Sequence, residues 1–403
     1  MHPIAVKLVP ISPQYLRLDE PLPFGLRDED GRLLLAAGQL IGDHAHLDDL
    51  TSQALFAGED SHEWTRRLGA ARDAMIRQGA SLQAVAAAMP EARETARPMT
   101  LTFVEQWLEL VSHLDSALRD IRNGPEWRSR LLSVHVRARQ LAQKRLDASI
   151  YHLVYEAAHS NEKYSCSHAL LTLVICEQAA PLLGWEPAWT DSLGRAALTM
   201  NVGMLRLQDQ LANTLMPPNA EARAIIDGHA SAGAELLSQC KLGDPLAMAV
   251  VALHHDASGA DVPLAELPPE RQLARLLRRV DIFTAKISRR ASRPPASPVQ
   301  AAREACLGAA GVPDEIGAAL LKAVGLYPPG SFVELASGEV GIVVARGRRA
   351  NLPFVASLVA PSGNPLGEPV LRDTIDRRYA VKSSVPPAQV KVRPPHERLM
   401  AMR

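Results

Sequence analysis

From residue 101 to residue 325, apolar side chains return every three or four positions, and Pro, Gly or a polar turn breaks the pattern again and again. That period places one apolar stripe on each segment, which is the signature of helices packing on helices. The segment 101–121 shows it plainly: Phe103, Trp107, Leu110, Val111, Leu114, Leu118 and Ile121 share a face, and Asn123-Gly124-Pro125 ends it. The stripe predicts core packing, with a homodimer seam as its alternative use. Further helices are expected at 127–144, 147–158, 164–183, 190–202, 220–239, 244–255, 270–288, 298–310 and 314–325. No strand alternates with these helices, so a parallel α/β sheet is excluded and a mainly α fold is expected. Composition agrees: 47% of residues are hydrophobic but only 4% are aromatic, as helical cores rich in Ala and Leu require.

The two ends read differently. Residues 1–60 form a small β-rich N-terminal module, with Asp30-Gly31 as a hairpin turn and a short helix over 47–56. The Gly of that pair readily takes the positive φ such a turn needs. Residues 61–160 read as a helical connector and 161–325 as one helical domain. At Tyr327-Pro328-Pro329-Gly330 the pattern switches to strands, giving a small C-terminal β module over 326–376 with strands at 332–335, 340–345 and 354–359. The Pro-rich, basic tail 377–403 is expected to be disordered.

Charge narrows the partners. Lys+Arg and Asp+Glu balance at 44 each, so no global field draws in nucleic acid or an anionic membrane, and neither DNA nor membrane is an expected partner. Four cysteines, Cys166, Cys176, Cys240 and Cys306, form no C-x-x-C pair. A thiolate zinc site is therefore not expected, and a reducing compartment fits. No signal-peptide pattern and no long uncharged apolar run is read, so the expected location is the cytoplasm.

Polar residues on apolar stripes carry the chemistry. Asp281 shares a helical side with Leu273, Leu277, Val280 and Thr284. A carboxylate is tolerated there only when it is paired or bound to a metal. His229 shares a face with Ile225, Ile226, Gly233 and Leu237; His254 and His255 trail an apolar run; His168 precedes Leu171 and Ile175 at helical spacing. Four histidines and one aspartate thus point into one helical core. Imidazole with carboxylate suits Fe, Mn, Zn or Ni. A hydrogen-bonded core cluster is the alternative, and the sequence does not say which histidines would share an ion.

The order His168, Met200-Asn201, His229, His254-His255, Asp281 resembles the HD-GYP branch of the HD-domain phosphohydrolases, over about residues 164–373. Ala197 to Leu205 aligns with the family's Leu-His-Asp-x-Gly-Lys segment, His229-Ala-Ser-Ala-Gly233 with its His-Pro-x-x-Gly, and His254-His255-Asp256 with its His-His-Glu. Val280-Asp281 matches the closing aspartate helix, and the β module after Gly325 matches the extension that often follows. The resemblance implies an HD-domain-like all-α bundle flanked by β modules. It also implies two or three metals that activate a hydroxide to cleave cyclic di-GMP.

This chain departs from that pattern where it matters. The family's His-Asp doublet is Met200-Asn201: a thioether is a poor ligand for hard ions, and an amide brings no bridging charge. The lysine is Met204, the glutamate is Asp256, and the Gly-Tyr-Pro loop becomes Gly259-Ala-Asp-Val-Pro263. Catalytic residues are therefore unassigned. His168, His229, His254, His255 and Asp281 remain as candidate metal ligands. Arg289, Arg290 and Arg293 sit where family members carry basic residues near nucleotide phosphates, with a solvated basic loop as the plainer reading. The expected function is a catalytically degenerate signalling module, taking cyclic di-GMP or a signalling protein as partner. Its alternatives are an active metal-dependent phosphodiesterase and a non-catalytic HDOD-like scaffold. The expected cofactor is none, or else a divalent ion such as Fe or Mn at a partial site.

Overall fold

The computed structural model describes residues 101–258, 262–308 and 311–402, together with isolated positions between 9 and 57. The chain divides into two compact units, Met1–Glu109 and Leu110–Arg403.

In the first unit, short strands β1 (Val9–Pro10), β2 (Leu26–Arg27), β3 (Leu33–Leu35) and β4 (Phe56–Ala57) pair antiparallel in the order β1-β4-β2-β3. Leu26 stands opposite Leu35, and Arg27 opposite Leu33. The Asp30-Gly31 turn between them lies outside the described residues. Leu16, Leu22, Leu26, Leu35, Ile41, Leu50 and Leu55 form the core of this unit. Helix is present at Leu47, Asp48 and Leu50, but Phe56, expected at its end, belongs to β4 instead and pairs with Arg27. The 61–98 part of the expected connector also lies outside the described residues.

The helices follow as α1 (Phe103–Arg119), α2 (Glu126–Lys144), α3 (Leu146–His159), α4 (Tyr164–Ala179), α5 (Pro187–Thr199), α6 (Leu205–Asn213), α7 (Ala220–Gln239), α8 (Pro245–Leu253), α9 (Pro269–Ile287), α10 (Pro298–Cys306) and α11 (Glu315–Val324). The Trp107, Leu110, Leu114, Leu118 and Ile121 stripe is buried within the chain. Helix α4 lies at the centre and is buried at nearly every position. With the turn that follows, Tyr164–Leu183 is long and apolar enough to cross a membrane, at a mean hydropathy of 1.4. Its burial over most of that length marks it as a core helix. Helix α6 was not expected from the sequence. It follows a short 3₁₀ turn, Val202–Met204, that re-aims the chain after α5.

The C-terminal strands β5 (Phe332–Leu335), β6 (Val340–Ala345), β7 (Phe354–Val359), β8 (Pro365–Asp373) and β9 (Val381–Ser384) make an antiparallel sheet in the order β8-β7-β6-β5-β9. Gly330, at φ +92°, lets the sheet's lead-in lie against α3: a Cβ there would meet the Tyr151 carbonyl oxygen at 2.4 Å. The fold is therefore mainly helical with small β modules at its ends.

The tail corrects the expectation of disorder. Strand β9 pairs with β5, and a terminal helix α12 (His396–Met400) buries Leu399 and Met400. The Tyr151 hydroxyl and His396 Nδ1 are 3.0 Å apart, and the Arg145 guanidinium donates to the Met400 carbonyl at 2.9 Å. Composition suggested a solvated tail, but a few well-spaced apolar residues and an unpaired sheet edge are enough to order it.

Candidate metal centre

The close approach of two glycines positions the first histidine. A Cβ at Gly203 would meet the His229 carbonyl oxygen at 2.4 Å and the Gly233 nitrogen at 2.9 Å. Only glycine at position 203 lets the 3₁₀ turn lie against α7 between His229 and Gly233. His254 and His255 leave the end of α8, whose start is fixed by Asp244: its side chain accepts from the Ala247 N–H at 2.9 Å and from Arg195 on α5 at 2.5 Å. These two anchors bring His229, His254 and His255 together. One ligand atom from each lies within 4.8 Å of the others. His229 and His254 are buried and His255 is exposed.

The hydrogen bonding within this group is short of protons. His229 Nδ1 lies 2.5 Å from the Ile226 carbonyl oxygen, and His254 Nδ1 lies 2.7 Å from that of Val251. A carbonyl only accepts, so each Nδ1 carries the ring's proton and each Nε2 is left as a bare lone pair. Yet the two Nε2 atoms face each other at 3.3 Å. Three contacts need three protons, and each imidazole with a single proton brings one. A third proton or a metal ion between the rings removes the conflict. Two nitrogens each about 2.0–2.1 Å from a tetrahedral ion lie roughly 3.4 Å apart, close to the spacing here. The carbonyl bonds to Nδ1 are also the support that metal-bound histidines commonly have. Burial, with the neighbouring His255, depresses the His254 imidazole to about 4, so it stays neutral near pH 7 and able to act as a ligand. His255, exposed on its outer side, is pushed down as well, by loss of hydration on the side facing the protein.

His168 and Asp281 do not join that group among the described residues. They pair with each other, His168 Nε2 to an Asp281 carboxylate oxygen at 2.7 Å. Burial pushes the Asp281 carboxyl up, but the bond and charge of His168, with His254 and His255 adding to them, hold it at about 2. His168 Nδ1 is buried and has no hydrogen-bond partner. The Tyr164 ring stacks on the His168 imidazole at 5.7 Å between centroids.

The doublet position lies on the turn after α5, just before the Gly203 that meets α7. Met200 and Asn201 are both buried, and Met204 is half-buried. Among the described residues no carboxylate oxygen lies within 4.8 Å of all three facing histidines, although the Asp281 charge reaches His254 and His255. Asp256, at the family's glutamate position, is exposed and pairs with Arg271 at 3.0 Å and with the Ser258 hydroxyl at 2.8 Å. Of the loop that replaces Gly-Tyr-Pro, residues 259–261 lie outside the described residues. The candidate phosphate arginines are engaged within the chain: Arg289 donates to the His159 carbonyl at 3.1 Å, Arg290 to the Tyr164 hydroxyl at 3.0 Å, and Arg293 to the Ala285 carbonyl at 2.8 Å. The proton shortage leaves no mark in the sequence, because it arises from backbone carbonyls three residues before each histidine and from the meeting of two helices.

No protein-family model matches this chain. Among curated proteins it is similar to the cyclic di-GMP phosphodiesterase PA4108 of Pseudomonas aeruginosa, with 24% identity over 196 residues, which is 48% of this chain and 47% of that protein. The name of that relative agrees with the HD-GYP resemblance read from the sequence. The chain thus spans about half the length of the curated relative it matches. Among solved structures it is similar to Bd1817, an HDG"Y"P protein from Bdellovibrio bacteriovorus, with 16% identity and a TM-score of 0.43, covering 78% of this chain and 98% of that one.

Proposed function

We propose that this HD-GYP-like domain is a cytoplasmic cyclic di-GMP-type signalling module that has given up two-metal hydrolysis and acts as a receptor or protein-interaction module. The observation that carries this reading is a group of three facing histidines whose nearest acidic group, Asp281, is already paired with His168, while buried Met200 and Asn201 fill the doublet position. Two-metal hydrolysis needs a bridging ligand that holds both ions a few ångströms apart. Neither a buried thioether nor an amide supplies that charge. One ion held by His229, His254 and His255 satisfies the proton shortage, and all-nitrogen ligation favours Zn, Ni, Co or Fe over Mg or Mn. Such an ion would supply an electrophilic anchor for a phosphate oxygen. The name of the curated relative supports cyclic di-GMP as the ligand.

The test uses the purified full chain. Its metal content is measured first, then cyclic di-GMP binding by calorimetry, then cleavage with added Mn or Fe. The expected result is at most one ion per chain, with binding and no cleavage. Cleavage that His254→Ala abolishes would overturn the reading in favour of an active phosphodiesterase. Neither binding nor cleavage would overturn it in favour of an HDOD-like scaffold.

A further inference from the structure

A second feature lies outside the histidine group, where the β6–β7 hairpin meets the end of α11. Lys322, Tyr327, Arg346, Arg348 and Arg349 line one cavity of about 60 Å³. A water molecule needs roughly 10–15 Å³ of such space, so several would fit, or one tetrahedral oxyanion. The walls are fixed by backbone. A Cβ at Gly347 would meet the Leu352 carbonyl oxygen at 1.6 Å, and the Leu326 N–H donates to the Ala350 carbonyl at 2.7 Å. Gly325, at φ +81°, turns the chain out of α11 into this wall.

The charge here is local. The whole chain balances 44 cations against 44 anions, yet four cations surround one small cavity. Arg346 is neutralised by Asp147 at 2.6 Å and donates to the Ala323 carbonyl at 2.8 Å. Lys322, Arg348 and Arg349 have no acidic or hydrogen-bonding side-chain partner among the described residues. Lys322, Arg348 and Arg349 are exposed, and an anion seated among them would be attracted by each. Paired guanidinium groups match the oxygens of a phosphoryl group better than a point charge does, and the half-buried Tyr327 phenol adds a neutral donor.

Size then selects among phosphates. A terminal phosphoryl group presents three free oxygens and can enter tip-first. A phosphate inside a cyclic dinucleotide has two of its oxygens tied to riboses and cannot. We propose that this cavity is a binding site for a terminal phosphoryl group, carried as free phosphate or as a nucleoside monophosphate. The proposal stands apart from the metal reading, since it shares no residue with the histidine group.

Calorimetry on the full chain tests it, with inorganic phosphate, GMP, guanosine and cyclic di-GMP as titrants. With chelator present to keep the histidine group empty, phosphate or GMP is expected to bind the unaltered chain, and guanosine is expected not to bind. The double variant Arg348→Gln, Arg349→Gln is expected to weaken binding at least about tenfold, roughly 1.4 kcal/mol, with an unchanged thermal unfolding midpoint. Lys322→Gln, on an exposed helix position, gives an independent reading in the same direction. Equal affinities for phosphate and GMP would assign the free anion, and tighter GMP binding would assign the ester. The proposal is overturned by absence of saturable binding of both anions, by binding that neither variant weakens, or by binding that is seen only without chelator.

Discussion

Two neutral imidazoles that have spent their protons on backbone carbonyls cannot also hydrogen-bond each other. His229 and His254 face each other with both Nδ1 atoms on backbone carbonyls, and the proposed partner is a metal ion. The buried Met200 thioether is a poor ligand for a second hard ion. Replacing Met200→His together with Asn201→Asp supplies the absent imidazole and carboxylate. The pair is expected to raise metal content from at most one ion per chain toward two, as read by elemental analysis of protein loaded with Mn or Fe. An unchanged content would show that the surrounding core has closed over the second position. Four histidines and Asp281 were legible from the sequence as a set, because polar residues on apolar stripes stand out. Their division into a group of three and a His168–Asp281 pair was not legible. Periodicity tells which way a side chain faces along its own helix, but not which helix end it meets.

The helices of the central run were legible because each carries its own stripe and its own Pro or Gly stop. Helix α6 was missed because Leu205, Leu207 and Leu211 are few and their neighbours are polar; it is held by what it packs on, not by its own pattern. The tail was misjudged for a related reason. Its prolines and charges outweigh its apolar residues in any count, yet Leu399 and Met400 are the ones that reach the core. Removing α12 by ending the chain at Val390 is expected to cost about 1–3 kcal/mol, the burial of two side chains less the ordering of the segment. Chemical denaturation measures it, and a loss near zero would mean the helix contributes no net stability.

At the scale of the whole molecule, buried histidines make the fold acid-sensitive. Burial, with the neighbouring His159, holds His396 at about 4, and His254 lies at about 4 through burial and His255. Both values lie below the ordinary histidine range. Between about pH 6.5 and 4 the unfolded chain therefore binds more protons than the folded one, so stability is full above that window and is lost as pH falls through it. Asp281, held at about 2, acts in the same sense lower down, its contribution fading below the ordinary aspartate range. The unfolding midpoint, followed with chelator present, is expected to fall steadily from pH 7 to 4.5. A midpoint that stays level or rises would contradict the burial of these rings.

The sequence by itself determined the fold class, the helical run and the identity of the candidate ligands, because those follow from local period, turn chemistry and residue type. Only the tertiary structure decided how the ligands are grouped, that the tail closes the sheet, and that Lys322, Arg348 and Arg349 converge on one cavity. Each of these depends on residues far apart in the chain meeting at a few ångströms. Such meetings are fixed by close approaches, such as Gly203 on α7 and Gly330 on α3, that leave no periodic mark in the sequence.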